Sequence, residues 1–343
     1  MHIKRKIGRV INQILKPSGY RLIHESALPD VLKGGSIGYS YNKVELPKGA
    51  REYLNQNNNR LIELKRLYAS EDKAVITPSI WNEQRVKDVV LQYFRGDNPY
   101  IYQYLDSNHP STYALTTNYI KSIDTLHLLD KLKEDNEFGI YTFEIDDKKV
   151  SRDLLDSITE MYFLEKHLGI SKLPSINMLD IGAGYGRLAY RMVEAFPNID
   201  HYFCTDAIPT STFICEYYLR FRHVTNKAMV IPLYELRDMM ENFPINIAIN
   251  VCSFSECTTS AIDWWLSILS KHKVRYLMIV PDGGLVDKEG RMLVAGTREE
   301  ISPILEKYKY RLIVKEPKYR DPQVQMYGVS PSYHYLFELT SDV

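Results

Sequence analysis

The stretch Met178-Leu-Asp-Ile-Gly-Ala-Gly-Tyr-Gly-Arg187 decides how this chain is read. An apolar run over 176–181 leads into three alternating glycines, Gly182, Gly184 and Gly186. Helical spacing follows in Leu188, Ala189, Met192, Val193 and Phe196. Strand, tight turn and helix in that order leave backbone bare where a ligand must lie against it. The competing pattern is the dinucleotide fingerprint G-x-G-x-x-G/A. Counted from Gly182, its last position falls on Arg187, whose long side chain would spoil close helix–strand packing. The spacing present is D-x-G-x-G-x-G, starting at Asp180.

Outward from this turn the alternation is regular. Strands are expected at 176–181, 201–206, 228–233, 245–252, 274–280, 310–315 and 334–339. Helical patterns at 186–196, 210–221, 234–242, 259–271 and 298–308 separate most of them, which argues a parallel, doubly wound α/β sheet. No helix separates the last two strands, so they should pair antiparallel as a hairpin. Upstream, 151–168 reads as a strong amphipathic helix capped by Ser151, with Asp153 in its first turn.

The region before it reads as mainly helical. Leu61, Leu64 and Leu67 mark one helix; Val86, Val89, Val90 and Tyr93 mark another, with Ser79 or Asn82 as cap and Gly96 as stop. Weaker helical signals cover 113–120 and 125–132, and 138–147 alternates like a hairpin strand. The organisation expected is a basic N-terminal helix with loops (1–40), a mainly helical cap holding the substrate region (41–150), and the sheet domain (151–343).

The chain has 343 residues, 45% hydrophobic and 25% charged, which suits a globular α/β domain plus a smaller one. Lys plus Arg and Asp plus Glu both number 43, so no global field steers it toward nucleic acid. Cys204, Cys215, Cys252 and Cys257 match no common zinc spacing and read as buried free thiols. No apolar run reaches membrane-spanning length and no signal-peptide core is visible, so a cytoplasmic location is expected. Residues 1–24 carry six Lys or Arg before the first acid, with Ile7, Val10, Ile11, Ile14 and Leu15 at helical spacing. They read either as a helix packed on this chain or on a second subunit of an oligomer, or as a peripheral membrane contact.

The D-x-G-x-G-x-G turn resembles motif I of the class I methyltransferases that use S-adenosylmethionine (SAM). The resemblance implies a Rossmann-like seven-stranded sheet ending in the antiparallel hairpin, with SAM held at the carboxyl ends of the strands. Further phrases are similar to a bacterial family of sugar O-methyltransferases: Val150–Ser157, Thr205–Pro209 with Ser211-Thr212-Phe213, Tyr217–Phe221, Ser253-Phe-Ser-Glu256, the Trp264-Trp265 pair and Ile279-Val-Pro281. This likeness runs from about Phe138 to the C-terminus. It implies a cytoplasmic enzyme of glycan or polysaccharide biosynthesis acting on a sugar or nucleotide sugar. A catalytically inactive SAM-binding subunit and a methyltransferase of a lipid or other small molecule remain open alternatives. In that family a histidine often stands where this chain has Cys252.

The residues to examine lie at the strand ends. Donor-binding candidates are Asp180, Gly182, Ala183, Gly184, Gly186, Asp206, Ala207, Asn250 and Ser253. Asp206 is placed to accept from two ribose hydroxyls; its competing role, capping the next helix, is better suited to Thr210 or Ser211. A sugar hydroxyl is a poor nucleophile at neutral pH and needs a base, for which Glu256, Asp282 and His334 are the candidates. Glu256 ranks first because it follows the fourth strand in a polar loop. Glu256 and Asp282 together would suit Mg²⁺, although Gly283 and Gly284 follow where paired acids would be expected, so a metal is not favoured. The aromatic region around Trp81, Tyr93 and Tyr100 to Tyr104 offers faces on which sugar rings pack.

Overall fold

Strand β1 (Phe143–Ile145) pairs antiparallel with β2 (Lys148–Val150), and the chain then enters the long Arg152–Leu168 helix. The helix begins where expected, because the Ser151 hydroxyl accepts from the Leu154 N–H at 3.0 Å. This computed structural model describes residues 46–77, 80–81, 83–87, 90–96 and 110–340. The basic segment 1–24, the caps proposed at Ser79 and Asn82, and the aromatic run 100–104 lie outside the described residues.

The main sheet follows as β3 (Ile176–Ile181), β4 (Ile199–Thr205), β5 (Ala228–Val230), β6 (Ile247–Val251), β7 (Tyr276–Val280), β8 (Tyr310–Pro317) and β9 (Tyr333–Leu339). Their order across the sheet is β5-β4-β3-β6-β7-β9-β8. The first five run parallel to one another, while β9 runs antiparallel to both β7 and β8. This is a Rossmann-like sheet with a C-terminal antiparallel hairpin. The chain leaves β3 toward β4 and returns from β5 to β6, so the order reverses beside β3 and opens a crevice at the ends of β3 and β6. Strand β3 is buried along nearly its whole length, as a central parallel strand covered on both faces should be.

Several elements are shorter than their patterns suggested. Strand β5 stops at Val230 because Pro232 has no N–H to continue a ladder, and the chain turns at Leu233–Glu235. The helix expected at 298–308 is only Ser302–Lys307; upstream of it, Val286 bridges Met292 and Leu293 bridges Glu300. The helix read through Val86 to Tyr93 is a Glu83–Lys87 helix and a separate turn at Leu91–Tyr93, with Val90 extended and half exposed between them. Asp124 accepts from Leu128 N (2.7 Å) and Leu129 N (3.0 Å), so the helix read at 125–132 starts only at Leu128. Phe138 sits at φ 59°, where a strand is impossible, and stacks on Phe94. No described helix is long and apolar enough to cross a membrane.

One apolar cluster runs from Ala50 through the sheet to Phe337. Within it lies a buried charge network that joins the helical region to the sheet. Arg95 meets Glu134 and Asp135, each at 2.6 Å, and Arg191 meets Glu134 at 2.7 Å. The Ser151 hydroxyl also donates to Glu134. Burial alone would raise the Glu134 pKa, but Arg95 and Arg191 outweigh it and hold the carboxyl at about 2.

Removing that charge leaves two guanidinium groups buried without their bridge. Glu134→Gln should cost about 3 kcal/mol, read as a lower urea midpoint at unchanged slope. The folded pKa lies below the ordinary 4.5, so the contribution is full above 4.5 and fades as pH falls toward about 2. The two proteins should therefore converge in stability across that acidic window.

Candidate functional site

Gly182, Gly184 and Gly186 have φ of 72°, 57° and 86°, a region that side chains resist. The turn is tied to β4 by bonds from Gly182 N and Ala183 N to the Thr205 carbonyl, at 2.9 and 3.2 Å. A Cβ on Gly182 would occupy the Ser253 side chain, and one on Gly186 would lie 2.9 Å from Cys215 Sγ. At Gly184 a Cβ would meet nothing within 4 Å. Two of the glycines therefore serve packing, and the middle one faces open space.

Cavities lie on both sides of this bare backbone. The larger has a volume of about 700 Å³ and is lined by the glycine turn, the start of the Arg152–Leu168 helix, the end of β7 and the chain around Lys318 and 330–332. The smaller, about 140 Å³, is lined by Asp206 and Ala207 after β4, by Ser253, Cys257 and Trp265, and by Val75 to Thr77 with Trp81. Gly182, Gly184, Val251, Cys252 and Glu256 line both.

The expected donor residues divide into two groups. Asp180 and Ala183 face the larger cavity, Asp206, Ala207 and Ser253 the smaller, and Gly182 and Gly184 both. Asp180 accepts from the Tyr202 hydroxyl at 3.0 Å, and burial pushes its carboxyl up to about 7. Asp206 accepts from Ile208 N (2.8 Å) and Gly184 N (3.1 Å), and burial likewise pushes it up to about 7. Asp206 thus fixes the loop itself; Thr210 and Ser211, expected as caps, are buried within the Pro209–Phe221 helix instead. Asn250 and Gly186 line neither cavity. The Asn250 amide donates to Ile181 O (2.9 Å) and accepts from Phe254 N (2.8 Å), so it clamps the ends of β3 and β6 rather than a ligand.

The candidate bases separate as well. His334 is buried on β9 against the Phe163 ring, with a centroid distance of 5.0 Å, and lines neither cavity. Burial, assisted by Lys318, lowers its pKa to about 3, so it is a neutral packing residue and not a base facing the crevice. Asp282 is exposed on the rim of the larger cavity and accepts from Gly284 N at 2.7 Å. Glu256 ends the short Ser253–Glu256 helix on the wall shared by both cavities and accepts from Trp81 Nε1 at 2.7 Å. Burial raises its pKa, with the Trp81 bond acting against the rise. Cys252, at φ 61°, has its thiol pushed up to about 12 by burial and stays protonated. Among the described residues no group of three or more His, Cys, Asp or Glu side chains is arranged to hold a metal ion.

Sequence patterns alone passed over Arg152, Asp156 and Lys318, which line the larger cavity. The first two read as polar positions of a helix and the third as part of a loop. Trp81 stood out only as one of several aromatics, and the approach of Val75 to Thr77 carried no signal in spacing or composition.

No protein-family model matches this chain. No curated protein matches it in sequence. Among solved structures it is similar to magnesium protoporphyrin IX methyltransferase from Synechocystis with bound SAM, at 12% identity and a TM-score of 0.39, over 55% of this chain and 83% of that one. It is also similar to a SAM-dependent methyltransferase from Aquifex aeolicus (14% identity, TM-score 0.36, 51% of this chain and 89% of that one). A third is precorrin-6y C5,15-methyltransferase from Geobacter metallireducens (12%, TM-score 0.34, 50% and 85%).

The collision at Gly182 gives a direct test of the turn. Gly182→Ala combines left-handed strain with overlap on Ser253 and should cost about 2–5 kcal/mol. Ser253→Gly in the same chain removes the overlap but not the strain, so it should recover part of that loss. Thermal melts of the wild type, both single variants and the double variant measure the coupling.

Proposed function

We propose that this protein transfers a methyl group from SAM to a hydroxyl of a sugar. The observation that carries the reading is the pair of cavities meeting across Gly182 and Gly184, with Glu256 on their common wall. SAM, when bound, supplies a methyl group made electrophilic by a positively charged sulfur. The smaller cavity suits its nucleoside: Ile76, Ala207, Ile208 and Trp265 offer apolar surface, and Asp206 an acceptor for ribose hydroxyls. Asp180 and the bare backbone at Gly182 to Gly184 suit its amino-acid end, and the open space over Gly184 is room that any side chain would fill.

The sugar acceptor is supported by the phrases Ser253–Glu256, Trp264-Trp265 and Ile279–Pro281, and by the polar lining of the larger cavity. Methyl transfer releases a neutral sulfur, so the chain needs no acid for it; a sugar hydroxyl must lose its proton as it attacks. Glu256 is the base in this reading. Its burial strengthens it as a proton acceptor, while the Trp81 N–H keeps it ionised and aimed. Asp282, on the rim, is placed to accept from a hydroxyl of the acceptor. Alignment of the two reactants across the glycine turn supplies the rest.

Calorimetry with SAM tests the reading at its base, and absence of binding would remove it. Glu256→Gln should lower kcat by about 10²–10⁴-fold while the Kd for SAM moves less than about threefold. A variant that kept full rate would transfer the base to another residue.

The pH profile tests the link to Trp81. Rate should rise with pH through the Glu256 pKa, which lies above the ordinary 4.5. Trp81→Phe removes a bond to the carboxylate, so the acidic limb of kcat/KM should move to higher pH. An unmoved limb, with activity retained, would separate Trp81 from the base.

A further inference from the structure

Part of the larger cavity is walled by ion pairs that methyl transfer itself does not use. Lys318 is buried, and its ammonium donates to Asp156 Oδ1, to Val329 O at 3.2 Å and to Ser330 O at 3.0 Å. An ammonium has three N–H bonds, and all three are taken. The other oxygen of Asp156 lies 3.4 Å from Arg152 Nε. Asp156 therefore stands between two cations. The third cation of the lining, Arg187, is bidentate to Glu160 at 2.8 and 3.0 Å.

Among the described residues that line this cavity, six carboxylates stand against three cations, and each cation already faces a carboxylate. A phosphate entering here would have to displace a carboxylate from its cation, or lie beside carboxyl groups that outnumber the cations. A hydroxyl both donates and accepts, so it can donate to an Asp156 oxygen and accept from the Arg152 guanidinium, leaving the Lys318 ammonium on the three acceptors it already has. The same surplus of negative charge favours a cationic donor on the glycine side of the cavity.

We infer that Arg152, Asp156 and Lys318 form an acceptor subsite for an uncharged, hydroxyl-bearing ring, with Asp156 barring phosphate groups from it. This rests on the methyl-transfer reading of the same cleft and narrows it. The ring methylated carries no phosphate at the end held here, so a glycan or glycoside fits and a sugar phosphate does not. Asp156 acts by neutralising its neighbours. Its loss should therefore create an anion site rather than merely weaken an existing one.

The probe is inorganic phosphate, titrated calorimetrically into the full chain as wild type, Asp156→Asn and Asp156→Asn/Lys318→Met. Phosphate should leave the wild type without heat, bind the single variant at least roughly tenfold more tightly, and lose that gain in the double variant. Phosphate binding by the wild type overturns the inference. So does an Asp156→Asn protein that melts cooperatively and still ignores phosphate. With labelled SAM, uncharged glycosides should be methylated at a kcat/KM at least about tenfold above that of their phosphates and nucleoside diphosphates, and equal use overturns it too. SAM titration runs beside these as a separate arm. Its failure would strike the methyl-transfer reading, whereas the phosphate titrations judge Asp156 without any turnover.

Discussion

The site depends on backbone that passes through three left-handed glycines between two fixed obstacles. Ser253 closes the space over Gly182, and Cys215 with Leu219 closes that over Gly186. Only at Gly184 does the turn face a void, and the two cavities meet there. The turn holds this course because neighbouring strand ends are locked to it. Thr205 O at the end of β4 accepts from the turn, and Asn250 on β6 ties Ile181 to Phe254. The Asn250 clamp also keeps Ser253 over Gly182, so one buried amide sets both the floor and the wall of the site.

The electrostatics follow from that geometry. Asp180 and Asp206 stand at the ends of β3 and β4, buried, with their carboxyls pushed up to about 7. Neither is opposed by a guanidinium in ion-pair contact, unlike Glu134, which two arginines hold at about 2. Buried acids raised in this way oppose folding when ionised, because the unfolded chain solvates the carboxylate better. A ligand carrying positive charge relieves that opposition, and a neutral one does not. The ionised form of the turn's acids thus works against folding, while the Arg95–Glu134–Arg191 network holds the segments around 95 and 134 against the Arg187–Ala195 helix.

The sheet was largely legible because its signals are local. Alternation of apolar runs with helical spacing located the strands within a few residues; the antiparallel pairing of β8 and β9 is as expected, although a short Pro322–Tyr327 helix, capped by Asp321, lies between them where no helical pattern is read. The errors share one cause: periodicity reports which face a residue takes, not what it meets there. His334 and Asn250 sit at strand positions that read as functional, yet one packs on Phe163 and the other clamps two strands. Arg95, Glu134 and Arg191 carry no signal in spacing, although their side chains are almost wholly buried. Trp81 reaches Glu256 from 175 residues away, a pairing that no spacing rule can anticipate. Pro232 and the Asp124 cap shortened elements for reasons visible in the chain, but only once their partners are known.

The larger cavity shows what the terminal hairpin contributes. The described wall of the larger cavity comes mainly from the sheet domain. Strands β8 and β9 pair from Tyr310 to Leu339, and Lys318 N donates to Ser332 O at 2.9 Å just past their last rungs. That pairing fixes the ends of the 318–332 loop, so Lys318 and residues 330–332 are brought to the cavity together. The Ser332 hydroxyl then donates to Pro281 O at 2.7 Å, joining the loop to the end of β7 beside Asp282. Burial lowers the Lys318 pKa and Asp156 opposes that shift by charge and by hydrogen bond, while Val329 O and Ser330 O also accept from the ammonium. The Lys318–Asp156 pair therefore joins this loop to the Arg152–Leu168 helix, and the wall it builds is polar with its cation matched by a carboxylate.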